Sequence, residues 1–218
     1  MPVRVLIVDD DALVRSGLSM LLAGTDDLRV AGEAEDGAAA VAAVDAFKPD
    51  VVLMDIRMPR MDGLEATERL RARDDAPEVI VLTTFDADEH VLRALRGGAS
   101  GFLLKDSGPD RILDAIRAVA AGEVMLSPGV TRRLVDHVAE SGAQARGEEA
   151  RRRLDCLTAR EREVAEAVGR GCSNAEIAAE LLMSVATVKA HVSSLLAKLA
   201  LNNRVQIALL VHDAELRG

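Results

Sequence analysis

The sequence predicts a doubly wound α/β domain with a five-stranded parallel sheet, followed by a separate all-α domain of four helices. Three observations carry this prediction. The first 121 residues contain five short apolar runs that alternate with helix-length segments, as in α/β folds. Residues 154–218 instead show three helix-start signatures in quick succession. Charge also divides the chain, since residues 1–120 carry 23 acidic and 14 basic side chains whereas residues 154–218 carry eight and seven.

The five apolar runs are nearly continuous rather than alternating, which is typical of strands buried on both faces of a parallel sheet. The segments between them show apolar stripes at helical spacing, for example Ile112, Ile116 and Val119. Strand–helix units in this order imply crossover connections and therefore a parallel arrangement. The predicted strands are Val3–Val8, Leu28–Ala31, Val51–Met54, Val79–Leu82 and Gly101–Leu104.

The composition is that of a globular protein, with 49% hydrophobic and 29% charged residues. The longest uncharged run, Ser16–Thr25, is about half the length that a membrane helix needs. The apolar run at the N-terminus is too short for a signal-peptide core. Cys156 and Cys172 are too few for a disulfide framework or a zinc site. We therefore expect a cytoplasmic protein with no membrane partner.

The segment that joins the two domains, residues 122–153, is predicted to be a linker. Val130–Glu140 has the pattern of one helix. The small and polar residues from Ser141 to Gly147, followed by charged residues up to Arg153, favour a flexible tether. We therefore expect the α/β domain to span residues 1–121 and the helical domain to span residues 154–218.

Polar side chains stand at the carboxyl ends of four predicted strands, where doubly wound sheets hold their active sites. Asp9 and Asp10 follow the first strand, Asp55 the third, Thr83 the fourth and Lys105 the fifth. Two carboxylates about 4 Å apart repel by roughly 4 kcal/mol at an effective dielectric of about 20, so the cluster needs a cation. Oxygen ligands without His or Cys favour Mg²⁺, which is the expected cofactor. The lysine and the threonine suit the oxygens of a phosphoryl group.

The helix-start signatures lie in residues 154–218. Thr158 and Ser173 are each followed three residues later by Glu, which is the capping-box pattern, and Ser184 is a third candidate N-cap. The helix about Ala186–Leu199 has apolar residues on one face and small residues on the opposite face. Because exposed faces usually carry Glu and Lys, small residues there indicate close approach of another surface. A helix of this shape fits the DNA major groove. The alternative interpretation is a helical bundle whose exposed small-residue face docks a protein.

The last predicted helix, about Arg204–Glu215, is apolar on more than one side. One apolar row can seal the helical bundle, whereas the other needs a partner. We expect the row of Ile207, Leu210 and Val211 to form a face between two copies of the chain. The alternative is that both rows are internal.

The runs VLIVDDD, PDVVLMDIRMPRMDG, VIVLTTF and GASGFLLKD resemble the receiver domain of two-component response regulators, over roughly residues 1–121. The resemblance implies a flavodoxin-like fold in which Asp55 accepts a phosphoryl group from a sensor histidine kinase. It implies that Asp10 and Asp55 bind Mg²⁺ together with the backbone carbonyl of Arg57, and that Asp9 acts through a metal-bound water. The residues implied in phosphoryl contact and switching are Thr83, Lys105 and the switch aromatic Phe102.

The run LTAREREVAEAVGRGCSNAEIAAELLMSVATVKAHVSSLLAKL resembles LuxR-type helix-turn-helix domains, over about residues 154–218. Together with the receiver resemblance, it indicates the NarL/FixJ class of response regulators, which are transcription regulators rather than enzymes. The resemblance implies that the helix after Ser184 binds promoter DNA and that the phosphorylated protein is a homodimer. The implied DNA-contact positions are Ser184, Thr187, Lys189, Ala190, His191 and Ser193.

Two other functions fit part of the sequence. Asp9 and Asp11 after the first strand resemble the start of a haloacid-dehalogenase-type phosphatase, but Leu13 stands where that family has Thr or Val. A phosphatase would also leave the helix-turn-helix pattern without an explanation. The second alternative is a DNA-binding protein whose receiver is never phosphorylated, and the intact set of Asp55, Thr83 and Lys105 argues against it.

Overall fold

The structure of the protein is a computed structural model that describes residues 1–73, 75–83, 88–126 and 143–215. The chain divides into two compact units, Met1–Arg133 and Leu134–Gly218. The first unit is a layered α/β fold and the second is all-helical. No helix within the described ranges is long and apolar enough to cross a membrane.

The centre of the first unit is a parallel sheet of six strands: β1 (Val3–Val8), β2 (Leu28–Ala34), β3 (Val51–Asp55), β4 (Glu78–Thr83), β5 (Gly101–Leu104) and β6 (Met125–Leu126). Their order in the sheet is β2-β1-β3-β4-β5-β6. The predicted five-stranded doubly wound sheet is therefore confirmed. The two-residue strand β6 was not predicted, and it pairs with β5 at the edge of the sheet.

Helices cover both faces of the sheet: α1 (Ala12–Ala23), α2 (Gly37–Phe47), α3 (Gly63–Arg71), α4 (Asp88–Arg96) and α5 (Pro109–Ala120). On one face, α1 and α5 pack on alternate residues of the strands, such as Val5, Leu53 and Ile80. Because the intervening residues are buried as well, every residue of β3 is buried. This double burial explains why the strands appear in the sequence as continuous apolar runs.

Aspartate residues cap the N-termini of the first three helices. Each accepts a hydrogen bond from a backbone N–H of the first turn, and the three N-caps are Asp11, Asp36 and Asp62. Capping satisfies N–H groups that have no partner inside the helix. Asp11 is therefore an N-cap of α1, although it directly follows Asp9 and Asp10 in the sequence.

The second unit contains five helices in its described part: α6 (Ala143–Leu154), α7 (Ala159–Gly169), α8 (Asn174–Glu180), α9 (Val185–Leu199) and α10 (Arg204–Glu215). Both predicted capping boxes are present, at Thr158 and Ser173, and Ser184 caps α9 as predicted. Apolar residues of all five helices form one buried cluster, which includes Val164, Ile177 and Leu195.

The tether predicted for residues 141–153 was wrong for residues 143–153, because these residues belong to α6. Ala150 and Leu154, one helical turn apart, are buried in the core of the second unit. Nε of Arg151 donates to the carbonyl oxygen of Ala214 in α10 at 2.9 Å. Gly147 allows close approach, since a Cβ there would lie 3.1 Å from the carbonyl oxygen of Asp213. The all-α prediction is confirmed, but α6 is additional to the four predicted helices, and Val130–Glu140 lies outside the described residues.

Candidate functional site

Three carboxylates meet at the carboxyl edge of the sheet, as the strand ends predict. Asp9 and Asp10 follow β1, and Asp55 is the last residue of β3, the neighbouring strand. One carboxylate oxygen from each lies within 4.8 Å of the others. Asp9 and Asp55 are buried, whereas Asp10 is exposed. The edge therefore concentrates negative charge at a point that solvent reaches from one side.

Lys105 lies inside this carboxylate cluster. Its Nζ is 2.6 Å from Oδ2 of Asp9 and 3.0 Å from Oδ1 of Asp55. Burial alone would lower the pKa of the Lys105 ammonium, but its contacts with Asp9 and Asp55 outweigh burial and the pKa is raised. Burial raises the pKa of the Asp55 carboxyl, and the nearby ammonium offsets only part of that effect. Lys105 therefore stays charged and pairs with both buried acids.

The charge of this site fits a divalent cation. Three carboxylates and one ammonium leave a formal charge of −2 within a few ångströms. An all-oxygen donor set of this kind suits Mg²⁺ better than metals that prefer His or Cys. A bound dication also favours the ionised form of Asp55, against the effect of burial. The residues present therefore fit Mg²⁺.

The other predicted receiver residues stand around the same edge. Thr83 is the last residue of β4 and is buried, and its carbonyl oxygen accepts the backbone N–H of Lys105 at 2.7 Å. Phe102 pairs with Val81 across β5 and β4, and its side chain is completely buried. Arg57 is exposed, two residues beyond Asp55. The structure thus brings the acids, Lys105 and the end of β4 to one edge, with Phe102 in the core beside it.

Gly63 supports this site, and sequence reasoning did not single it out. A Cβ at Gly63 would lie 1.8 Å from the carbonyl oxygen of Asp55, a distance that no folded chain tolerates. The backbone N–H of Gly63 also donates to the carbonyl oxygen of Ile56 at 2.9 Å. The start of α3 is therefore packed directly on the end of β3. The sequence signal was the Asp62-Gly63 pair at a helix start, which a cap alone also explains.

The predicted DNA-contact residues lie on α9 and at its N-cap. Ser184, Thr187, Lys189, Ala190 and Ser193 are exposed, and His191 is half-buried. The opposite face of α9 is in the core through Val188, Val192, Leu195 and Leu199. The exposed face is therefore made mostly of small side chains, and Lys189 is its one charged residue among the predicted contacts.

A buried glutamate on α7 holds α9 in place, and it was not predicted. The carboxylate of Glu161 accepts hydrogen bonds from Ser194 Oγ at 2.9 Å, from Lys198 Nζ at 2.8 Å and from the backbone N–H of Thr158 at 3.0 Å. The hydrogen bond from Lys198, followed by that from Thr158, lowers the pKa of Glu161 from 4.5 to about 2. Lys198 is therefore engaged in an ion pair within the fold. The pattern of the helix alone would have made it a candidate for contact with DNA.

The prediction that Ile207, Leu210 and Val211 form a dimer face was wrong. Ile207, Leu210 and Val211 are only 0%, 8% and 3% exposed, and all three belong to the core cluster of the second unit. Helix α6, which the sequence suggested would be a tether, packs against α10. These three side chains therefore face the inside of the unit and are not available as a surface.

The fold and the site together define a class of protein in which a receiver domain is joined to a helix-turn-helix DNA-binding domain. Residues 5–117 match the family described as "Response regulator receiver domain". Residues 155–211 match the family described as "Bacterial regulatory proteins, luxR family". The chain belongs to the two-component response regulators with a LuxR-type DNA-binding domain, a family of transcription regulators rather than enzymes.

Relatives align with the chain over nearly its full length. It is 39% identical to the transcriptional regulatory protein LiaR of Bacillus subtilis, covering 96% of this chain and 97% of the relative. It is 34% identical to the nitrate/nitrite response regulator NarL of Escherichia coli, covering 97% and 96%. Among solved structures, the response regulator ChrA of a heme-sensing two-component system has 35% identity and a TM-score of 0.53, with 99% of each chain covered.

Proposed function

We propose that the protein is a transcription regulator that is switched when a sensor histidine kinase phosphorylates Asp55. The observation that supports this most directly is the position of Lys105, whose ammonium contacts both Asp55 and Asp9. A partly buried ammonium at that point is suited to a phosphoryl oxygen bound to Asp55. The kinase and its phosphorylated target would meet in the cytoplasm.

The reaction is a transfer of one phosphoryl group. A carboxylate oxygen of Asp55 attacks the phosphorus of a phosphohistidine, so a P–O bond forms, the P–N bond breaks and the histidine leaves with a proton from solvent. Lys105 contacts one phosphoryl oxygen and the hydroxyl of Thr83 donates to another. When bound, Mg²⁺ neutralises charge on the transferred group. Asp9, Asp10, Asp55 and the backbone carbonyl of Arg57 would hold it.

Phosphorylation would reach the rest of the protein through β4 and β5. The resemblance to receivers implies that Thr83 moves toward the phosphoryl group and that Phe102 repacks. Because Phe102 is completely buried, its movement must displace neighbouring residues. That displacement changes the receiver surface that is used for dimerisation.

A surface on α1 suits the kinase. Leu13 and Met20 are 82% and 78% exposed on this helix, and Gly17 lies one turn from each of them. The helix begins immediately after the Asp9–Asp11 segment, so a protein seated on α1 stands next to Asp55. A phosphohistidine must come close to Asp55 to react, and we infer that the kinase binds this apolar surface.

The exposed residues of α9 would enter the major groove of promoter DNA. Ala190 and Ser193 are small enough for close approach, and Lys189 can donate to a guanine or a phosphate. With Ile207, Leu210 and Val211 buried, the outer side of α10 is the remaining apolar surface of that helix. Leu209, which is partly exposed, and His212, which is exposed, are the dimer face that we now propose for the DNA-binding units.

Labelling with a small phosphodonor tests the proposal. Acetyl phosphate should phosphorylate the full-length protein at Asp55 in the presence of Mg²⁺, and Asp55→Asn should abolish labelling. The two side chains are nearly isosteric, so the variant should keep the thermal stability of the wild type. Phosphopeptide mapping identifies the site. Labelling that persists in Asp55→Asn, or that is found at Asp9 or Asp10, would contradict the proposal.

A further inference from the structure

The side chain of Arg15 connects α1 to the loop that carries the acids. Its Nη1 donates to the backbone carbonyl oxygen of Asp9 at 2.7 Å. Its Nε lies 3.2 Å from Oε2 of Glu33 on β2, and Ser19 Oγ donates to the other oxygen of Glu33 at 2.8 Å. The Arg15 side chain is only 18% exposed. The guanidinium is thus hydrogen-bonded to the Asp9 carbonyl on one side and paired with Glu33 on the other.

The carbonyl that Arg15 contacts belongs to the peptide unit between Asp9 and Asp10. The two acids differ in how their side chains are held. The Asp9 carboxylate accepts the backbone N–H of Asp11 at 3.0 Å and pairs with Lys105. The Asp10 carboxylate has no hydrogen-bond partner among the described residues and is exposed. The direction of Asp10 therefore depends on its backbone, and Arg15 fixes the peptide plane that precedes it.

The charge of Arg15 does not compete with a cation at the site. Glu33 is paired with the guanidinium, so the two side chains together are close to neutral. A bare arginine beside three carboxylates would itself offset the charge that attracts Mg²⁺. With Glu33 present, Arg15 acts through the hydrogen bond to the Asp9 carbonyl. This arrangement orients a ligand without reducing the negative charge of the cluster.

We propose that Arg15, held by Glu33 and Ser19, is a positioning residue that orients Asp10 for Mg²⁺ binding. The proposal depends on the Mg²⁺ site of the proposed function and extends it beyond the residues that contact the ion. Arg15 touches neither the metal nor the phosphoryl group. Its loss should therefore change the affinity for Mg²⁺ and leave the chemistry at saturating Mg²⁺ intact.

The test is Mg²⁺ binding to the full-length, unphosphorylated protein, measured by titration calorimetry. Arg15→Met removes the donor and keeps an unbranched apolar side chain, and Mg²⁺ should bind about 10-fold more weakly, as for other residues that orient metal ligands. At saturating Mg²⁺, labelling by acetyl phosphate should return to the wild-type rate. Arg29→Met is the matched control, because Arg29 is an exposed arginine on β2. The Kd of the Arg29→Met protein for Mg²⁺ should equal that of the wild type.

Arg15→Lys provides the second variant, since it keeps the charge but cannot contact the Asp9 carbonyl and Glu33 in the same way. It should give an intermediate Kd, and it decides the matter if Arg15→Met does not fold. A purely structural role would lower the melting temperature of both variants with an unchanged Kd, and that result would overturn the inference. Failure of the wild type itself to bind Mg²⁺ would instead reject the metal site of the proposed function.

Discussion

One glutamate determines how α9, the helix that we propose to bind DNA, is held in the second unit. Glu161 is the third residue of α7, yet it accepts hydrogen bonds from Ser194 and Lys198 on α9 as well as from its own N-cap. A carboxylate that is only 5% exposed needs such partners, because leaving a buried charge unpaired is costly. The capping box at Thr158 therefore also fixes the orientation of α9 against α7.

The pKa of Glu161 gives a prediction about stability and pH. The folded-state pKa is lowered from 4.5 to about 2, so the ionised form stabilises the fold. This stabilisation is complete above a pH of about 4.5 and is lost as the pH falls toward 2. Glu161→Gln should therefore lower the melting temperature at neutral pH, and its difference from the wild type should shrink in acid. Thermal unfolding followed by circular dichroism across this range measures both.

Glu163→Gln is the control for this prediction, since Glu163 lies on the same helix in an exposed ion pair with Arg160. Exposed pairs contribute little, about 0–1 kcal/mol. This variant should melt close to the wild type at every pH. A Glu161→Gln protein whose deficit stays constant from neutral pH to pH 2 would show that the carboxylate charge is not what stabilises this contact.

At the scale of elements, the sheet could be predicted from the sequence and α6 could not. The strands are buried on both faces, so each appears in the sequence as a continuous apolar run. The ends of these runs locate Asp9, Asp55 and Lys105 without any knowledge of tertiary contacts. Helix α6 has Gly147 and many charged residues, and local composition favours a tether. Its helical state depends on packing against α10, which is more than 50 residues away in the sequence. The same missing information made the Ile207 row look like an exposed surface.

The residues that support the site without belonging to it could not be predicted either, because their roles also depend on tertiary contacts. Arg15 and Glu33 are unremarkable as sequence, because nothing local indicates that β2 brings Glu33 to α1. The role of Gly63 depends on the approach of α3 to the end of β3, which only the folded backbone reveals. Chemistry-bearing residues at strand ends are thus predictable, whereas the residues that orient them are not.

The junction of β3 and α3 provides a second prediction. Gly63→Ala places a methyl group against the carbonyl oxygen of Asp55, so the helix start or the strand end must shift. Overpacking of this kind costs about 1–3 kcal/mol. We expect chemical denaturation to show a loss of this order, together with slower labelling of Asp55. The shift moves the acceptor itself, so saturating Mg²⁺ should not restore the rate.

Gly17→Ala is the opposite case and serves as the control. Nothing lies within 4 Å of a Cβ at Gly17, which stands within α1. Alanine in a helix interior is more stable than glycine by about 0.5–1 kcal/mol. A Gly63→Ala protein that was as stable as the wild type would mean that α3 can move away from β3 without cost.

The apolar surface of α1 leads to a prediction about the kinase. Met20→Lys puts a charge on that surface and should slow phosphotransfer from a histidine kinase that phosphorylates the wild type by about 10-fold, because the charge must be desolvated on binding. Labelling by acetyl phosphate should be unaffected, since that donor needs no docking surface. Leu182→Lys makes a similar change at a 93% exposed leucine in the second unit and should affect neither reaction. Equal slowing with both donors would place the defect in the site rather than in docking.

At the scale of the whole molecule, the DNA-binding unit has no net positive charge, and this limits how it can bind DNA. The chain has a net charge of −9, and residues 154–218 have eight acidic and seven basic side chains. Lys198 is paired with Glu161, so Lys189 is the one lysine of α9 without an ion-pair partner among the described residues. Non-specific affinity comes mainly from neutralised phosphates. One such unit should therefore bind DNA weakly.

Two units on one DNA would overcome this weakness, and phosphorylation can act by bringing them together. A dimer contacts two half-sites about 10–10.5 bp apart, and the second contact benefits from a high effective concentration. We expect the phosphorylated protein to bind paired half-sites at least about 100-fold more tightly than a single half-site, and to lose this gain when about 5 bp are inserted between them. In gel-shift titrations, Leu209→Ser on the outer side of α10 should reduce the gain alone, whereas Lys189→Ala should weaken binding to single and paired half-sites alike. Equal affinity for single and paired half-sites after phosphorylation would contradict a switch that works through dimerisation.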